Sequence, residues 1–463
     1  MTKLMIFTRR NTTNRWRYIA ERLEFSGETK IVGLLDDGCD INAMPTFYAH
    51  YRSQNHHNWL LDSIGEAACQ EIIQRCRLLR NLDREVALRF ISSMWRTLEQ
   101  TIEQLKPEIV LSFMVDFYPV DILQRLLERR QIPFFGLSGG ILKDQTIVSV
   151  LGEYNFLHKP TSEELEQAFI EITAPTFAPS VVVSKKYNLS RFVTTKLTWH
   201  ARHLLLNALR IFQRDPLNPE YLTTPKSGDD YYIRWRDWQV IQYMDHQWEE
   251  KLTSVPFDKR VFVGLQYYPE ATTDYWVKDV RLANCIQAMT EIARVLTNHG
   301  FTIFLKDHPV MFGLRRKEMY QSLSHLSHVV FVPYEVKSQE LIDRCKTTFT
   351  WTGTIGIQVA LAGRCPVVTT TYYRTNEDFI CLNTWEDIVS LPERIDQFQL
   401  PRDLDPVKQR VLYQVCSAHI PGSMDWTGFD PNKSNLAGTH AIIGSLNHYV
   451  PQFLTLHSKE KVS

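Results

Sequence analysis

The sequence predicts an α/β protein with two doubly wound domains, in which helices cover both faces of parallel sheets. The first third of the chain alternates short apolar runs with helical patterns, and the same alternation resumes after Pro256. The chain has 463 residues, whereas a single core rarely grows beyond about 250–300 residues. These observations together favour two consecutive α/β domains.

Composition excludes several other classes of protein. Lys and Arg total 52, as do Asp and Glu, so the formal net charge is zero, whereas nucleic-acid binders usually carry a basic excess. The eight cysteines are scattered and form no CxxC pair or zinc-like cluster. This pattern predicts reduced thiols, a cytoplasmic protein and no bound metal. No run approaches the roughly 20 apolar residues that span a bilayer.

The N-terminal domain is predicted over residues 1–180. Its short apolar runs predict strands at Lys3–Thr8, Lys30–Leu35, Ile109–Phe113 and Ile132–Leu137. Apolar residues at three- and four-residue spacing predict helices at Arg15–Phe25, Trp59–Leu105 and Val120–Arg130. Strands that alternate with helices in this way indicate a parallel sheet.

Residues 181–255 differ from both flanking regions. Ser184–Arg214 contains seven Lys or Arg and no acidic residue, with apolar residues at helical spacing. Such a helix could dock on an anionic membrane surface, or it could be the solvated face of an interdomain helix. Asp215–Asp230 is rich in turn formers and predicts a linker, and Tyr231–Lys251 looks helical.

The second α/β domain is predicted over residues 256–400, followed by a partly helical tail over 401–463. Its strands are predicted at Arg260–Gln266, Phe301–Lys306, Val329–Val332, Thr348–Thr350 and Pro366–Thr370. Its helices are predicted at Val280–His299, Arg316–Leu326, Gln339–Lys346 and Ile355–Ala362.

Three loops that follow strands of this domain carry polar residues. Ligands of doubly wound sheets bind outside the carboxyl ends of the strands, so the loops should converge on one site. The residues concerned are Gln266 and Glu270 in the first loop, Lys306, His308 and Pro309 in the second, and Thr352, Gly353 and Thr354 in the third.

These residue types suit a phosphate. Lys306 offers a point charge and His308 a hydrogen-bond donor that is expected to titrate near neutrality. The Thr352-Gly353-Thr354 turn leads into a helix whose free N–H groups attract anions. The plainer alternatives are a surface lysine with a histidine bonded to the backbone, and a capped helix that stops at Gly363.

The motifs resemble a known family. QYYPEATT, LKDHP and TGTIGIQVALAGRCPVV resemble the bacterial capsular and surface-polysaccharide biosynthesis glycosyltransferases, a GT-B group similar to the capsule Kdo transferases. The resemblance covers roughly Tyr231–Tyr373 well and the N-terminal half more loosely. It implies a GT-B-like fold of two Rossmann-like domains that face each other across a cleft. It also implies a nucleotide-sugar substrate, with no cofactor and no metal.

The resemblance also implies roles for individual residues. Lys306 and His308 would meet the donor phosphate beside Pro309, with Gln266 and the Thr352-Gly353-Thr354 turn also at the donor site. Glu270 would lie near the interdomain cleft, in a catalytic role. The sequence departs from the family pattern at Gln358, where an acidic residue is usual, and that departure puts the contact to the donor ribose in doubt. Asp307 replaces the usual Glu.

A general base for the acceptor hydroxyl is expected on the first domain. The candidates are Asp116, Asp144, Asp36 and Asp37, and Asp116 is the first choice. A weaker likeness to bacterial sialyltransferases rests on Asp36-Asp37-Gly38 and His308-Pro309. Both resemblances favour a CMP-activated acidic sugar as the donor, but neither identifies it.

The predicted function is therefore transfer of a sugar from a nucleotide sugar to a surface-polysaccharide or lipid-linked glycan acceptor. The enzyme would be cytoplasmic, or peripheral on the inner membrane. Two alternatives stay open: a non-catalytic GT-B module that binds a nucleotide sugar or glycan, and a polyol-phosphate transferase of the teichoic-acid type.

Overall fold

The computed structural model describes residues 2–53, 58–174, 177, 188–228, 232–268, 270–369, 377–423, 429–432 and 436–460, the last six without their side chains. The chain divides into two compact units. The first unit contains Met1–Lys159, Asn207–Lys226 and Ser417–Ser463, and the second contains Pro160–Leu206 and Ser227–Cys416.

The described residues form these strands: β1 (Thr2–Phe7), β2 (Ser26–Gly33), β3 (Ile41–Asn42), β4 (Ile109–Phe113), β5 (Phe134–Gly139), β6 (Gln145–Val148), β7 (Arg260–Gly264), β8 (Thr302–Lys306), β9 (Val329–Val332), β10 (Thr347–Phe349), β11 (Cys365–Val368), β12 (Ile380–Cys381) and β13 (His419–Pro421). The α-helices are α1 (Thr13–Ala20), α2 (Met44–Ser53), α3 (Asn58–Ile64), α4 (Glu66–Arg75), α5 (Arg84–Leu105), α6 (Tyr118–Arg129), α7 (Ser162–Thr173), α8 (Leu189–Phe212), α9 (Pro219–Lys226), α10 (Trp248–Ser254), α11 (Ala271–Tyr275), α12 (Cys285–Asn298), α13 (Lys317–Ser324), α14 (Ser338–Arg344), α15 (Ile355–Leu361), α16 (Leu391–Gln397), α17 (Asp405–Ala418) and α18 (Ala437–Glu460).

The first unit is built on a seven-stranded sheet with the order β13-β6-β5-β4-β1-β2-β3. The five strands from β5 to β3 pair in parallel, and β6 and β13 add an antiparallel edge. All five residues of β4 are buried, as expected for a strand covered on both faces. The order reverses between β1 and β4, so this pair is the switch point where such sheets bind ligands.

The second unit is built on a six-stranded, wholly parallel sheet with the order β12-β11-β10-β7-β8-β9. Numbered from β7, this is the 3-2-1-4-5-6 order of dinucleotide-binding Rossmann folds, read from the β9 edge. The switch point lies between β7 and β10, which pair from Thr347 with Val261 to Phe349 with Val263. Both predicted doubly wound α/β units are thus present.

Apolar packing explains why these segments form strands and helices. The largest buried cluster of the second unit joins Val261 and Val263 of β7 to Ile292 and Leu296 of α12. In the first unit, Ile6 and Leu111 on neighbouring strands pack with Trp16 of α1. Burial of each such side chain contributes about 1.5–3 kcal/mol, so the sheets are fixed chiefly by their apolar faces.

The unit boundaries differ from the predicted sequence of four consecutive segments. Residues 417–463 belong to the first unit because β13 pairs with β6, from His419 with Ile147 to Pro421 with Gln145. Residues 160–206 belong to the second unit, where α7 packs against α15. Neither association between segments distant in the chain leaves a local pattern in the sequence.

Two predicted segments are also corrected. The predicted linker Asp215–Asp230 contains α9, and its residues 229–230 lie outside the described residues. It is anchored by Asn218, whose Nδ2 donates to Leu34 O at 2.5 Å. The single helix predicted at Trp59–Leu105 is divided into α3, α4 and α5, with a break at Gly65, where φ is 83°. The helical prediction for Tyr231–Lys251 is confirmed by a 3-10 helix over Trp235–Tyr243 and by α10, whereas Tyr231 lies outside the described residues.

The basic stretch predicted at residues 184–214 forms α8 over Leu189–Phe212, whereas residues 184–187 lie outside the described residues. None of the helices described is at once long enough and apolar enough to cross a lipid bilayer.

Candidate functional site

The switch point of the second unit is bridged by one side chain. Gln266 lies two residues beyond β7, and its Oε1 accepts hydrogen bonds from the N–H of Thr352 at 2.8 Å and from its hydroxyl at 3.0 Å. Thr352 follows β10, so the bridge crosses the point where the strand order reverses. The predicted convergence of these two loops is therefore observed.

The same amide leaves a donor unused. Gln266 is 8% exposed, and its Nε2 is buried without a hydrogen-bond partner among the described residues. The hydroxyl of Thr350, directly after β10, is likewise buried without a hydrogen-bond partner among the described residues. A Cβ on Gly353 would lie 2.9 Å from that hydroxyl, so glycine lets the turn close over β10. Buried unpaired donors are rare in native proteins and call for a ligand or water.

Asp307 anchors a buried polar network directly after β8. Its carboxylate accepts from Nε of Arg315 at 2.9 Å and from the hydroxyls of Tyr320 at 2.6 Å and Tyr334 at 3.2 Å. Burial and the neighbouring carboxylate raise the pKa of both tyrosines well above 10, so both remain donors. Arg315 also donates to Gln266 O at 2.7 Å, which couples the network to the switch point.

Lys306 is the last residue of β8 and is 4% exposed. Among the described residues its Nζ makes one hydrogen bond, a long one of 3.4 Å to Asp307 O. Burial lowers the pKa of Lys306 to about 8, against the raising effect of Asp307 and Glu335. The ammonium group is therefore still largely charged at pH 7, and it retains donors that the protein does not use.

The pKa of His308 differs from the near-neutral value expected from the sequence. Burial lowers its pKa to about 4, and the cations Lys306 and Arg315 add to that effect. Its Nδ1 accepts from Val310 N at 3.2 Å, so in the neutral ring the proton lies on Nε2. His308 is thus a neutral donor rather than a cation. Pro309 follows as the first residue of a 3-10 helix.

The turn at Thr352-Gly353-Thr354 leads into α15, as predicted, and Gly363 ends the helix with φ of 67°. The N–H groups of Gly356 and Ile357 are already bonded to Gly353 O and Thr354 O, both at 3.1 Å. Thr354 makes no side-chain cap. The anion-binding capacity expected of this helix end is therefore partly used within the turn.

Gln358 has a partner within its own unit. Its Nε2 donates to Ile172 O at 3.3 Å, in the last turn of α7. A carboxylate cannot donate this bond and would face the negative end of a helix dipole. The departure from the acidic residue of the family therefore has a local physical reason.

Glu270 participates in the turn that begins α11. Its Oε2 accepts from Thr272 Oγ1 at 2.9 Å, and its N–H donates to Thr273 Oγ1 at 3.4 Å. These contacts are those expected where a short helix is capped at its first turn. Pro269 lies outside the described residues.

The switch point of the first unit carries an ion-pair cluster. Arg9, which follows β1, pairs with Asp116, which follows β4, and its Nε donates to Glu220 of α9 at 2.6 Å. The guanidinium carbon lies 3.7 Å from the centroid of the Phe117 ring. Burial alone would lower the pKa of Arg9, but the two carboxylates raise it overall. Asp116 Oδ1 is buried and has no partner among the described residues.

The other candidate bases are less suited to chemistry. Asp144 is exposed in a turn, with φ of 54°. Asp36 is exposed, and Asp37 accepts from Thr13 Oγ1 at 2.8 Å. Gly38 has φ of 92°, so Asp36-Asp37-Gly38 is a turn at a strand end.

Sequence reasoning missed several residues of both clusters. Arg315, Tyr320 and Tyr334 complete the Asp307 network, and Arg9 and Glu220 complete the first switch point. Arg315 lies 8 positions from Asp307 along the chain, whereas Arg9 lies 107 positions from Asp116 and 211 positions from Glu220. A basic residue soon after LKDHP was a usable signal for Arg315, whereas Glu220 lies in the segment predicted as a linker.

Comparisons with known proteins give similarities to solved structures only, since no protein-family profile and no curated protein matches the chain. Among the similar structures is a beta Kdo 2,7 transferase, KpsC of Thermosulfurimonas dismutans, at 12% identity and a TM-score of 0.32, covering 76% of this chain and 89% of that one. Another is MnaA of S. aureus with UDP, at 11% identity and a TM-score of 0.28, covering 98% of each chain.

A third is the UDP-GlcNAc 2-epimerase of Neisseria meningitidis bound to UDP-GlcNAc, at 12% identity and a TM-score of 0.24, covering 90% of this chain and all of that one. The chain is similar to each of these three solved structures.

Proposed function

We propose that the protein is a glycosyltransferase that transfers a sugar from a nucleotide sugar to a glycan acceptor, with the donor phosphate bound at the switch point of the second sheet. The observation that supports this most is the buried ammonium of Lys306, which among the described residues makes one hydrogen bond, 3.4 Å long. Leu265 N donates to Lys306 O at 3.0 Å, so this lysine ends the strand beside the Gln266 loop. A buried cation with spare donors suits an anionic ligand.

The chemistry follows from what these groups offer. Sugar transfer breaks the bond between the anomeric carbon and a phosphate oxygen, and negative charge develops on the departing phosphate. Lys306 stabilises that charge directly, and Nε2–H of His308 donates a hydrogen bond to it. Such preorganised stabilisation in a site that excludes water is usually the largest catalytic contribution. Because His308 is already neutral at pH 7, it acts here as a donor and holds its proton.

The acceptor hydroxyl must lose a proton as it attacks. Asp116 is our proposed base, since its Oδ1 has a free acceptor position among the described residues.

The proposal includes a metal-independent reaction, a lipid-linked or surface-polysaccharide acceptor and, from the sequence likeness, a CMP-activated acidic sugar as donor. Gln266, Thr352, Gly353, Thr354 and Pro309 would line the donor site, and Glu270 would lie nearby. Gln358 would not contact the donor and would contribute only by its hydrogen bond to α7.

One observation supports a second candidate, a module that binds a nucleotide sugar without turning it over. The carboxylate of the proposed base is already engaged by Arg9, as it would be in a purely structural ion pair. A polyol-phosphate transferase of the teichoic-acid type would also use a cationic strand end, but its donor would carry a polyol rather than a sugar.

The test is a thermal-shift screen of the full chain against CMP-, UDP- and GDP-sugars and CDP-polyols, followed by a hydrolysis and transfer assay with any ligand that binds. We expect one nucleotide class to raise Tm. The variant Lys306→Met should lose about 2–4 kcal/mol of phosphate binding, roughly 30- to 1,000-fold in Kd. Its own stability should be unchanged or higher, because a poorly paired buried charge is removed.

Lys346 supplies the matched control. It is 7% exposed, precedes β10 at the amino end of the same sheet, and pairs with Asp258 at 3.5 Å. Lys346→Met should keep nucleotide affinity within about twofold. Binding without turnover would favour the module, a response to CDP-polyols alone would favour the polyol-phosphate transferase, and equal affinity in both lysine variants would refute the proposed site.

A further inference from the structure

Helix α8 carries an exposed apolar stripe. Five large apolar residues within Leu189–Phe212 are each between 57% and 81% exposed: Leu197, Leu204, Leu205, Ile211 and Phe212. At 100° per residue they fall on one side of the helix, within an arc of about 120°. Isolated exposed apolar residues are ordinary, but a contiguous stripe of this kind marks an interaction surface.

The other side of α8 is already occupied. Phe192 is fully buried in a small cluster with Ile233, Phe312 and Tyr334, and Nζ of the buried Lys196 donates to Ile233 O at 2.5 Å. These contacts fix which side of the helix faces the second unit, to which α8 belongs as far as Leu206. The apolar stripe is therefore exposed although the other side of the helix is packed, so its exposure does not result from a detached helix.

The charge of α8 narrows the choice of partner. Residues 184–214 contain no Asp or Glu, although the chain as a whole has 52. Arg202 is exposed and lies beside the stripe, and Arg214 is exposed two residues beyond the end of the helix. The Arg202 guanidinium lies 5.1 Å from the centroid of the ring of Trp199, which itself packs against the buried cluster on the other side of the helix.

We propose that α8 docks the protein on an anionic lipid surface, with the stripe Leu197–Phe212 buried in the interface and the arginines against the headgroups. An in-plane amphipathic helix binds by this combination of apolar burial and cationic borders. A second copy of the chain fits less well, because pairing two α8 stripes would bring arginines together without any carboxylate on either helix. This inference is independent of the proposed sugar transfer.

The test is co-sedimentation of the full chain with vesicles of pure phosphatidylcholine and with vesicles containing about 30% phosphatidylglycerol, at low and high salt. We expect binding to the anionic vesicles that weakens at high salt, and little binding to the neutral ones. The charge variant Arg202→Glu with Arg214→Glu should lower the partition coefficient at least about tenfold. The apolar variant Leu204→Ser with Phe212→Ser should lower it by a similar factor.

Exposed positions elsewhere supply the controls. Val389 is 65% exposed and Arg402 is exposed, so Val389→Ser and Arg402→Glu should bind as the wild type does, within about twofold. Circular dichroism would verify that every variant folds. Equal binding of wild type to both vesicle types, no binding at low salt, or a dimer that dissociates in the Leu204→Ser, Phe212→Ser variant would each overturn the proposal.

Discussion

The two switch points differ in how their charges are satisfied. In the first unit, Arg9 meets two carboxylates, those of Asp116 and Glu220, so the cation is fully compensated. In the second unit, Asp307 is fully compensated, but its neighbour Lys306 keeps donors that no described residue uses. The same topology therefore holds a closed ion-pair cluster in one sheet and an open cationic site in the other. An anionic ligand is more strongly favoured at the open site.

The largest expected effect concerns the stability that the Asp307 network gives to the second unit. Asp307→Asn would leave the buried guanidinium of Arg315 without an anion, so the free energy of unfolding should fall by about 3–5 kcal/mol. Urea denaturation measures this loss. Asp396→Asn, at an exposed pair with Lys259, should cost less than about 0.5 kcal/mol. A loss below about 1 kcal/mol for Asp307→Asn would mean that the network is not structural.

The second prediction tests whether the closed cluster of the first unit takes part in catalysis. Asp116→Asn should lower kcat about hundredfold with KM little changed, because a general base contributes roughly 100- to 10,000-fold. Asp144→Asn is the control, since asparagine accepts the left-handed backbone at that exposed turn. A stability loss with kcat unchanged would identify the Arg9 cluster as purely structural and leave all chemistry to the other switch point.

The third prediction uses pH to examine the open site. The pKa of His308 is lowered from 6.5 to about 4 by burial, so the unfolded chain binds more protons than the folded chain between those values. Stability is then fully present above pH 6.5 and decreases as pH falls towards 4, by about 1–2 kcal/mol after solvent screening. His308→Asn, which keeps an acceptor for Val310 N, should remove that slope.

The control for this titration is His325→Asn, at an exposed position after α13. It should leave the pH slope of the unfolding free energy as it is in the wild type. If the His308→Asn variant keeps the full slope between pH 4 and 6.5, the imidazole is not the neutral donor that the geometry indicates.

The smallest expected effect concerns Gln358. Gln358→Glu replaces an amide donor to Ile172 O with a carboxylate, so it should cost about 1 kcal/mol of stability. Gln321→Glu, on the exposed side of α13, should stay within about 0.5 kcal/mol. An increase in nucleotide affinity in Gln358→Glu, with no loss of stability, would instead place this position in the donor site.

Much of the fold could be predicted because it is local. Ile109–Phe113 and Val329–Val332 are strands at the predicted bounds, since short apolar runs between breakers have few alternatives. The convergence of Gln266 with Thr352 also followed from the strand order. In these cases the information lies within a few residues of the element concerned.

The rest depends on contacts between distant segments. The Pro, Asn and Asp residues around Glu220 predict a linker. In the structure, however, hydrogen bonds of Arg9 and Asn218 hold α9 in the first unit. The neutral state of His308 could not be predicted either, since it results from burial by residues such as Tyr267, whose ring is 6.4 Å away. The sequence shows which titratable residues are present, whereas burial in the folded chain decides whether they are charged.

The antiparallel edge of the first sheet has a consequence for how the chain folds. Strand β13 begins at His419, yet it pairs with β6, which ends at Val148, and α18 packs on that edge. The first sheet therefore cannot be completed until more than 250 further residues have been synthesised, by which time the strands of the second sheet have already emerged. We expect the second unit to acquire its native core first during translation, with the first unit maturing last despite its place at the start of the chain.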